Sequence, residues 1–183
     1  DCIERHFKFK TFDEYIHSHL KADILCLQET KVQEKNLADR GVAKRLGFLS
    51  SHYDAFAAPC RLTTSKGFNG VITFVRKGLT LSASRNPFND PLFDKEGRCV
   101  LTVHPSFLLL NVYVPNASSA SRRDYKINFL NALSVRMQKL REKHGKPVIL
   151  AGDLNLHRRA VDLYPSFRML RSTNFPAKYG SEK

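Results

Sequence analysis

The stretch that decides the fold reads A-D-I-L-C-L-Q-E-T-K and runs from Ala22 to Lys31. Its apolar centre is typical of a buried strand, and the strand ends abruptly in amide and acid side chains. A second run of this kind ends in G-D-L-N at 152–155. Carboxylates at the mouth of a sheet can hold Mg²⁺, which takes oxygen ligands and keeps several waters. Such a cation beside an acid and an amide is typical of phosphodiester cleavage, so the two runs predict a magnesium-dependent nuclease.

The net charge of the chain indicates which class of partner it binds. Thirty Lys and Arg against 17 Asp and Glu give 183 residues a net charge of +13, which favours polyanions such as nucleic acid. No apolar run approaches the roughly 20 residues that a membrane span needs, and we expect no membrane partner. The cysteines at 2, 26, 60 and 99 are too widely spaced for a zinc site or a disulfide scaffold. A reduced, intracellular setting is therefore expected, and protein partners are left unknown.

Hydrophobic periodicity predicts helices interleaved with strands in one domain over residues 1–183. Strands are expected at 23–27, 52–58, 71–76, 99–103, 107–114 and 147–151, with a weaker one near 79–83. Helices are expected from a Thr11 cap to Leu20, over 35–46, and from a Ser121 cap to His144. Residues 59–69 and 84–98 are predicted loops. This order predicts a mixed α/β layered fold.

Polar residues that follow the buried strands are the candidate site residues. Asp153 and Asn155 are two apart, so an extended backbone would project both to the same side, where they could orient a water and bind a phosphoryl oxygen. An Asx turn explains the same pair equally well. Glu29 is either a metal ligand or a surface acid at a strand end.

Several further residues have both a functional and an ordinary interpretation. Tyr113 and Asn116 close a buried strand and could serve a phosphate, although a core tyrosine and a turn asparagine are commoner. Asn69 precedes a glycine, which favours a tight turn near a ligand. Arg98 and Arg158 are candidate phosphate contacts, against surface ion pairs as the default.

The spaced motifs together resemble the exonuclease III/apurinic-apyrimidinic endonuclease family of the endonuclease/exonuclease/phosphatase superfamily. Beside the A-D…Q-E-x-K stretch stand G-F-N-G at 67–70, E-G-R at 96–98, N-V-Y-V-P-N at 111–116 and G-D-L-N at 152–155, in the family's order. Several motifs in order are far more specific than any one. The D-x-E-G-R and H-R-x-x-V-D patterns at 94–98 and 157–162 resemble the type-two eukaryotic branch more than the type-one branch.

The resemblance implies a four-layer α/β sandwich of two packed mixed β-sheets with helices outside. It implies that Glu29 binds Mg²⁺, or Mn²⁺ instead, with Asp153 and Asn155 as further ligands. Asp153 would orient or deprotonate the attacking water, Asn155 would hold a phosphate oxygen, and Tyr113 and Asn116 would contact the scissile phosphate. The reaction implied is hydrolysis 5′ to an abasic site in DNA, with trimming of blocked 3′ ends.

The chain also departs from the family's pattern. No W-N-I-N-G strand precedes the first motif, and no Ser-Asp-His motif follows the last, so we expect a partial domain, incomplete at both ends. There are two alternative hypotheses. The chain is a catalytically incomplete nucleic-acid-binding fragment, or it is a phosphodiesterase that acts on RNA or another phosphoester. A nuclear location follows from the implied substrate, with mitochondria as the alternative.

Overall fold

Two β-sheets form the centre of the molecule. The structure is a computed structural model that describes residues 12–62, 68–157, 159 and 162. The strands are β1 (Ile24–Leu27), β2 (Tyr53–Ala58), β3 (Val71–Arg76), β4 (Ser82–Ser84), β5 (Cys99–Val103), β6 (Leu108–Tyr113) and β7 (Val148–Asp153). The helices are α1 (Phe12–Tyr15), which continues as a π-helical segment (Ile16–Leu20), α2 (Glu34–Ala38), α3 (Arg40–Arg45), α4 (Pro91–Asp94) and α5 (Ala120–His144).

The first sheet has the order β1-β3-β2 and is antiparallel throughout. The second sheet has the order β4-β5-β6-β7, and only its β6–β7 pair is parallel. The parallel pair brings Tyr113 beside Asp153 at the carboxyl ends of both strands. That edge is therefore where two of the predicted site residues meet.

The sheets pack face to face with helices on the outside. Between the sheets, Ala58 and Val71 of the first pack against Val100 of the second. The outer face of the first sheet carries Phe74, which packs with the π-helical segment through Ile16. A larger cluster on the outer face of the second sheet buries the apolar side of α5. The predicted four-layer α/β sandwich is confirmed.

Local chemistry shifts some predicted boundaries. The helix expected over 35–46 is broken at Asp39, which is extended (φ −77°, ψ 114°) and whose carboxylate accepts the Val42 N–H at 2.9 Å as the cap of α3. The longest helix is capped by Ser119 rather than Ser121, since the Ser119 hydroxyl accepts the Arg122 N–H at 3.2 Å. The Thr11 cap lies outside the described residues. No helix in the described part of the chain has the length and apolarity to cross a bilayer.

A short helix interrupts the loop expected over 84–98. Asp90 accepts the Leu92 N–H at 2.9 Å, and Pro91 stands at the first helical position of α4. The side chain of Asp94 turns back to accept the Phe88 and Asp90 N–H groups. Local hydrogen bonds thus order a segment whose Pro, Asn and Asp content predicts only irregular structure.

Candidate active site

The five sequence motifs lie side by side at one edge of the sandwich. Each follows or precedes a strand whose end is at that edge, because β1, β6 and β7 finish there while β3 and β5 begin there. A continuous set of backbone hydrogen bonds joins them. The bonds are Thr30 N–H to Gly70 O (3.0 Å), Lys31 N–H to Asn69 O (2.9 Å), Gly70 N–H to Gly97 O (3.1 Å), Tyr113 N–H to Arg98 O (2.8 Å) and Val114 N–H to Asp153 O (2.9 Å).

The backbone around Glu29 adopts an uncommon conformation. Glu29 has a φ of 51°, and Lys31 and Asn69 have φ values of 55° and 51°, all in the left-handed region. Such conformations in residues other than glycine cost free energy and persist where the surroundings over-determine them. The hydrogen bonds from Thr30 and Lys31 to the 69–70 turn provide that constraint. The chain therefore fixes the backbone on both sides of Glu29, whose side chain is exposed.

Two glycines let the motif loops approach each other. A Cβ atom on Gly70, where φ is 86°, would stand 2.8 Å from the Thr30 Oγ1 atom. A Cβ atom on Gly97, where φ is 67°, would stand 2.5 Å from the backbone of Pro59. No side chain fits at either position without displacing a neighbouring loop. The glycines of these two motifs are explained by close packing.

The Tyr113 phenol lies among the charged and amide groups of the site. Burial, together with the hydrogen bond and negative charge of Glu29, raises the pKa of Tyr113, while Arg98 and a hydrogen bond with Asn155 lower it by less. The phenol is therefore neutral at physiological pH and can donate its proton in a hydrogen bond. It links Glu29, from the first sheet, to Asn155, from the second.

The G-D-L-N motif ends β7 in an Asx turn. The Asn155 N–H donates to Asp153 Oδ1 at 2.8 Å, and Asn155 has a φ of 47°. The extended, same-side arrangement that the spacing suggested is therefore wrong, because this hydrogen bond turns the backbone directly after the strand. The Asn155 Nδ2 atom donates to the Val114 carbonyl at 2.7 Å. This bond orients the amide and leaves its oxygen available to a ligand.

A cavity of about 750 Å³ opens beside these loops. Its lining includes Glu29, Asn69, Arg98, Tyr113 and Asn116, five of the residues that the sequence singled out. The lining does not include Asp153 or Asn155, which adjoin it through Tyr113. The remaining candidate, Arg158, lies outside the described residues.

Two of the predicted ligand contacts, Arg98 and Asn69, form bonds with other groups of the protein. Arg98 is only 5% exposed, its guanidinium bonds the Glu96 carboxylate and donates to the Tyr113 carbonyl at 3.1 Å, and it lies 5.0 Å above the Tyr113 ring. The Asn69 Nδ2 atom donates to the Glu96 carbonyl at 3.1 Å. Both residues line the cavity, and both also hold its walls together.

Helix α5 brings two further charged residues to the site, Lys126 and Arg122, which are not among the candidate residues of the sequence. Lys126 of α5 is 7% exposed and donates to the Asn155 carbonyl at 2.7 Å. Burial lowers the pKa of this ammonium group, and the nearby Asp153 charge partly raises it. Arg122 lines the cavity, 3.5 Å from the Glu96 carboxylate. The helical spacing of residues 126, 129 and 133 could have predicted a buried Lys126, because it places this lysine on the apolar face of α5.

The donor set suits a hard cation that keeps much of its water. Across residues 12–62, 68–157, 159 and 162, no group of three or more His, Cys, Asp or Glu side chains is arranged around a common metal position. Glu29 and Asp153 offer carboxylate oxygens and Asn155 an amide oxygen. Mg²⁺ is usually held by one or two carboxylates, with waters and substrate phosphate oxygens completing its shell. The chemistry of these side chains therefore fits such a site.

The fold is an α/β sandwich of two sheets, with the candidate residues at one edge where strands of both sheets end or begin. The model of the endonuclease/exonuclease/phosphatase family matches residues 5–178, and the chain belongs to that family. It is 26% identical to the DNA-(apurinic or apyrimidinic site) endonuclease 2 of Schizosaccharomyces pombe, over 88% of this chain and 36% of that protein.

Another relative and a solved structure are also similar to this chain. The chain is 29% identical to an exodeoxyribonuclease of Bacillus subtilis, over 80% of this chain and 53% of that one. The crystal structure of the Xenopus laevis APE2 catalytic domain superposes with a TM-score of 0.65 at 27% identity, covering 80% of this chain and 54% of that domain. The chain thus spans about half, or less, of the length of these relatives.

Proposed function

We propose that this chain carries the catalytic edge of a DNA repair nuclease. Its reaction is the Mg²⁺-dependent hydrolysis of the phosphodiester 5′ to an abasic site, with 3′-phosphodiesterase and 3′-5′ exonuclease activity on blocked ends. The observation that carries the proposal is the edge where five motifs meet, with Glu29 and Tyr113 lining one cavity and Tyr113 paired with Asp153 across the parallel strands. Relatives named as apurinic/apyrimidinic endonuclease and exodeoxyribonuclease support the substrate class.

The residues divide the chemistry between the two sheets. Glu29, Asp153 and Asn155 would hold Mg²⁺, with Mn²⁺ as the substitute. Bound there, the metal supplies positive charge against the phosphate oxygens. Asp153 takes the proton of the attacking water. One of its oxygens is fixed by the Asn155 N–H, so its second oxygen is the one that meets the water.

The phenol and the amides bind the phosphate. The single proton of the neutral Tyr113 turns from Glu29 to a nonbridging phosphate oxygen, and the second hydrogen of Asn155 Nδ2 meets another phosphate oxygen. Asn116 and Asn69 contribute from the cavity wall. Arg98 acts chiefly through the Tyr113 ring that it covers, and Arg158 remains a proposed phosphate contact from the sequence.

The whole protein is proposed to act on DNA inside the cell. The net charge of +13 suits a polyanionic substrate. Eukaryotic relatives named as DNA endonucleases support a nuclear location, with mitochondria as the alternative. We further propose that residues 1–183 are part of one catalytic domain.

One observation favours a second candidate, a nucleic-acid-binding fragment without activity. The net charge of +13 accounts for binding to a polyanion without requiring any catalytic group. Such a fragment binds DNA with steep salt dependence and is indifferent to Mg²⁺.

Incision of an end-labelled duplex with one abasic analogue distinguishes the two candidates. The chain is assayed with Mg²⁺ and with EDTA, beside Asp153→Ala and the distant control Asp54→Ala. Mg²⁺-dependent incision that is lost in Asp153→Ala and kept in Asp54→Ala is the expected result. Metal-independent binding without incision by the unmodified chain is the result that favours the fragment.

A further inference from the structure

A fully buried asparagine bridges the two sheets. Asn111 lies on β6 with no exposed surface, in an otherwise apolar strand. Its Nδ2 atom donates across the interface to the first sheet, with the Ile72 carbonyl at 3.0 Å and Thr73 Oγ1 at 3.1 Å. A buried polar side chain of this kind is costly unless its hydrogen bonds are made. Here the bonds run between the sheets, so the group fixes their relative position.

The same asparagine reaches the residue before Glu29. The Gln28 Nε2 atom donates to Asn111 Oδ1 at 2.7 Å, and Asn111 Nδ2 also lies 3.3 Å from the Leu27 carbonyl. Gln28 precedes Glu29 directly, and Asn111 stands two residues before Tyr113. One side-chain bond therefore ties together the ends of two strands that each carry a proposed site residue.

We infer that Gln28 and Asn111 form a positioning pair that sets the Glu29 carboxylate against Tyr113. This inference rests on the proposed function and names residues that act through Glu29 and touch neither metal nor substrate. The first sheet contributes Glu29 and the second contributes Tyr113, Asp153 and Asn155. A site divided between two sheets keeps its geometry only if the sheets cannot slide. The pair supplies that restraint at the edge where it is needed.

A purely structural role predicts a different outcome from a positioning role. The Thr73 hydroxyl accepts a hydrogen bond from the nitrogen of the Asn111 amide, whereas Gln28 donates to its oxygen. Thr73 is also fully buried. Thr73→Val removes a hydrogen bond from the same network without touching Gln28. Gln28→Leu removes the link to Glu29 and also the donor to the buried Asn111 Oδ1 atom, so we expect both variants to lose stability.

The test measures metal binding directly. Mn²⁺ is titrated into the whole chain, and the free ion is followed by its electron paramagnetic resonance signal. We expect Gln28→Leu to weaken Mn²⁺ binding about tenfold, as is common when the groups that orient a metal ligand are lost. Thr73→Val should lower the melting temperature and leave Mn²⁺ binding within about twofold of the unmodified chain.

A double-mutant comparison completes the test. If Gln28 acts through Glu29, Gln28→Leu has no further effect on Mn²⁺ binding in a Glu29→Gln background. The proposal is overturned if Gln28→Leu binds Mn²⁺ like the unmodified chain, or if the two variants add fully. Absence of Mg²⁺-dependent incision by the unmodified chain contradicts the proposed function alone, since Mn²⁺ binding is read without turnover.

Discussion

Gly152 lets β6 and β7 approach more closely than any side chain would allow. A Cβ atom there would stand 2.1 Å from the Val112 carbonyl oxygen, and the φ of Gly152 is 128°. Because the contact is with backbone, no side-chain rotation relieves it. We expect Gly152→Ala to lower the free energy of unfolding by more than roughly 3 kcal/mol, measured by urea denaturation.

The matched control for this substitution is Gly145→Ala. Gly145 ends α5 with a φ of 61°, and nothing lies within 4 Å of its ideal Cβ position. The cost there is conformational only, about 1 kcal/mol. Equal losses for the two variants would show that close strand approach is unimportant.

Tyr113 should titrate above the ordinary range of tyrosine. Burial and Glu29 raise its pKa above the usual value of about 10, so the phenol stays protonated where exposed tyrosines ionise. Its contribution to stability is complete below the unfolded pKa and is lost as pH rises through the folded pKa. The difference in phenolate absorbance between the unmodified chain and Tyr113→Phe measures this directly. Titration of Tyr113 at or below the ordinary value would contradict the described surroundings.

For single residues, the sequence predicted which side chains lie at the cavity better than it predicted what those side chains contact. Glu29, Tyr113 and Asn116 line the cavity because each ends an apolar strand or follows one within three residues. Arg98 could not be assigned, since its contacts with Glu96 and the Tyr113 ring depend on residues distant in sequence or on rotamers. The Gln28–Asn111 bond spans 83 positions, and no local pattern predicts it.

The loops at the site edge are packed against one another as a unit. Gly70 approaches Thr30, and a Cβ atom would meet Thr30 Oγ1 at 2.8 Å. We expect Gly70→Ala to displace the loop that carries Glu29 and to weaken Mn²⁺ binding about tenfold. Mn²⁺ titration of the variant provides the measurement.

A second substitution tests the cause. Thr30→Ala removes the clashing hydroxyl, so Gly70→Ala with Thr30→Ala should recover part of the lost affinity. The remaining deficit reflects the φ of 86° at position 70. A double variant as weak as Gly70→Ala would assign the whole effect to backbone strain.

At the element scale, apolar runs predicted strands well and polar segments poorly. Among the described residues, the strands lie at or near their expected positions. Apart from the exposed edge strand β4, they follow the apolar runs that burial between layers requires. The sequence did not predict the break between α2 and α3. The Asp39 side chain caps α3 there by accepting a backbone hydrogen bond, which is an alternative to continuing the helix. Helix α4 depends on the Asp90 cap and the Asp94 side chain, which have no periodic signature.

For the whole molecule, the charge of +13 predicts strongly salt-dependent DNA binding. Raising salt from about 50 to about 200 mM should weaken binding roughly 10³-fold if about six phosphates are contacted. Arg122→Ala, at the cavity, should reduce the salt slope by about one. Arg141→Ala, near the far end of α5, should leave the slope unchanged. Fluorescence anisotropy with a labelled duplex measures the salt slopes of the unmodified chain and of both variants. Equal slopes for the two variants would show that the DNA does not bind at the cavity.

The central claim is that Glu29 from one sheet and the Tyr113–Asp153–Asn155 group from the other form one magnesium-dependent hydrolytic site. The most direct measurement is the rate of abasic-duplex incision against Mg²⁺ concentration. It compares the unmodified chain, Glu29→Gln and Glu142→Gln, an exposed acid of α5. We predict that Glu29→Gln raises the half-maximal Mg²⁺ concentration by at least about tenfold and that Glu142→Gln leaves it unchanged. An unchanged Mg²⁺ dependence in Glu29→Gln would contradict the claim.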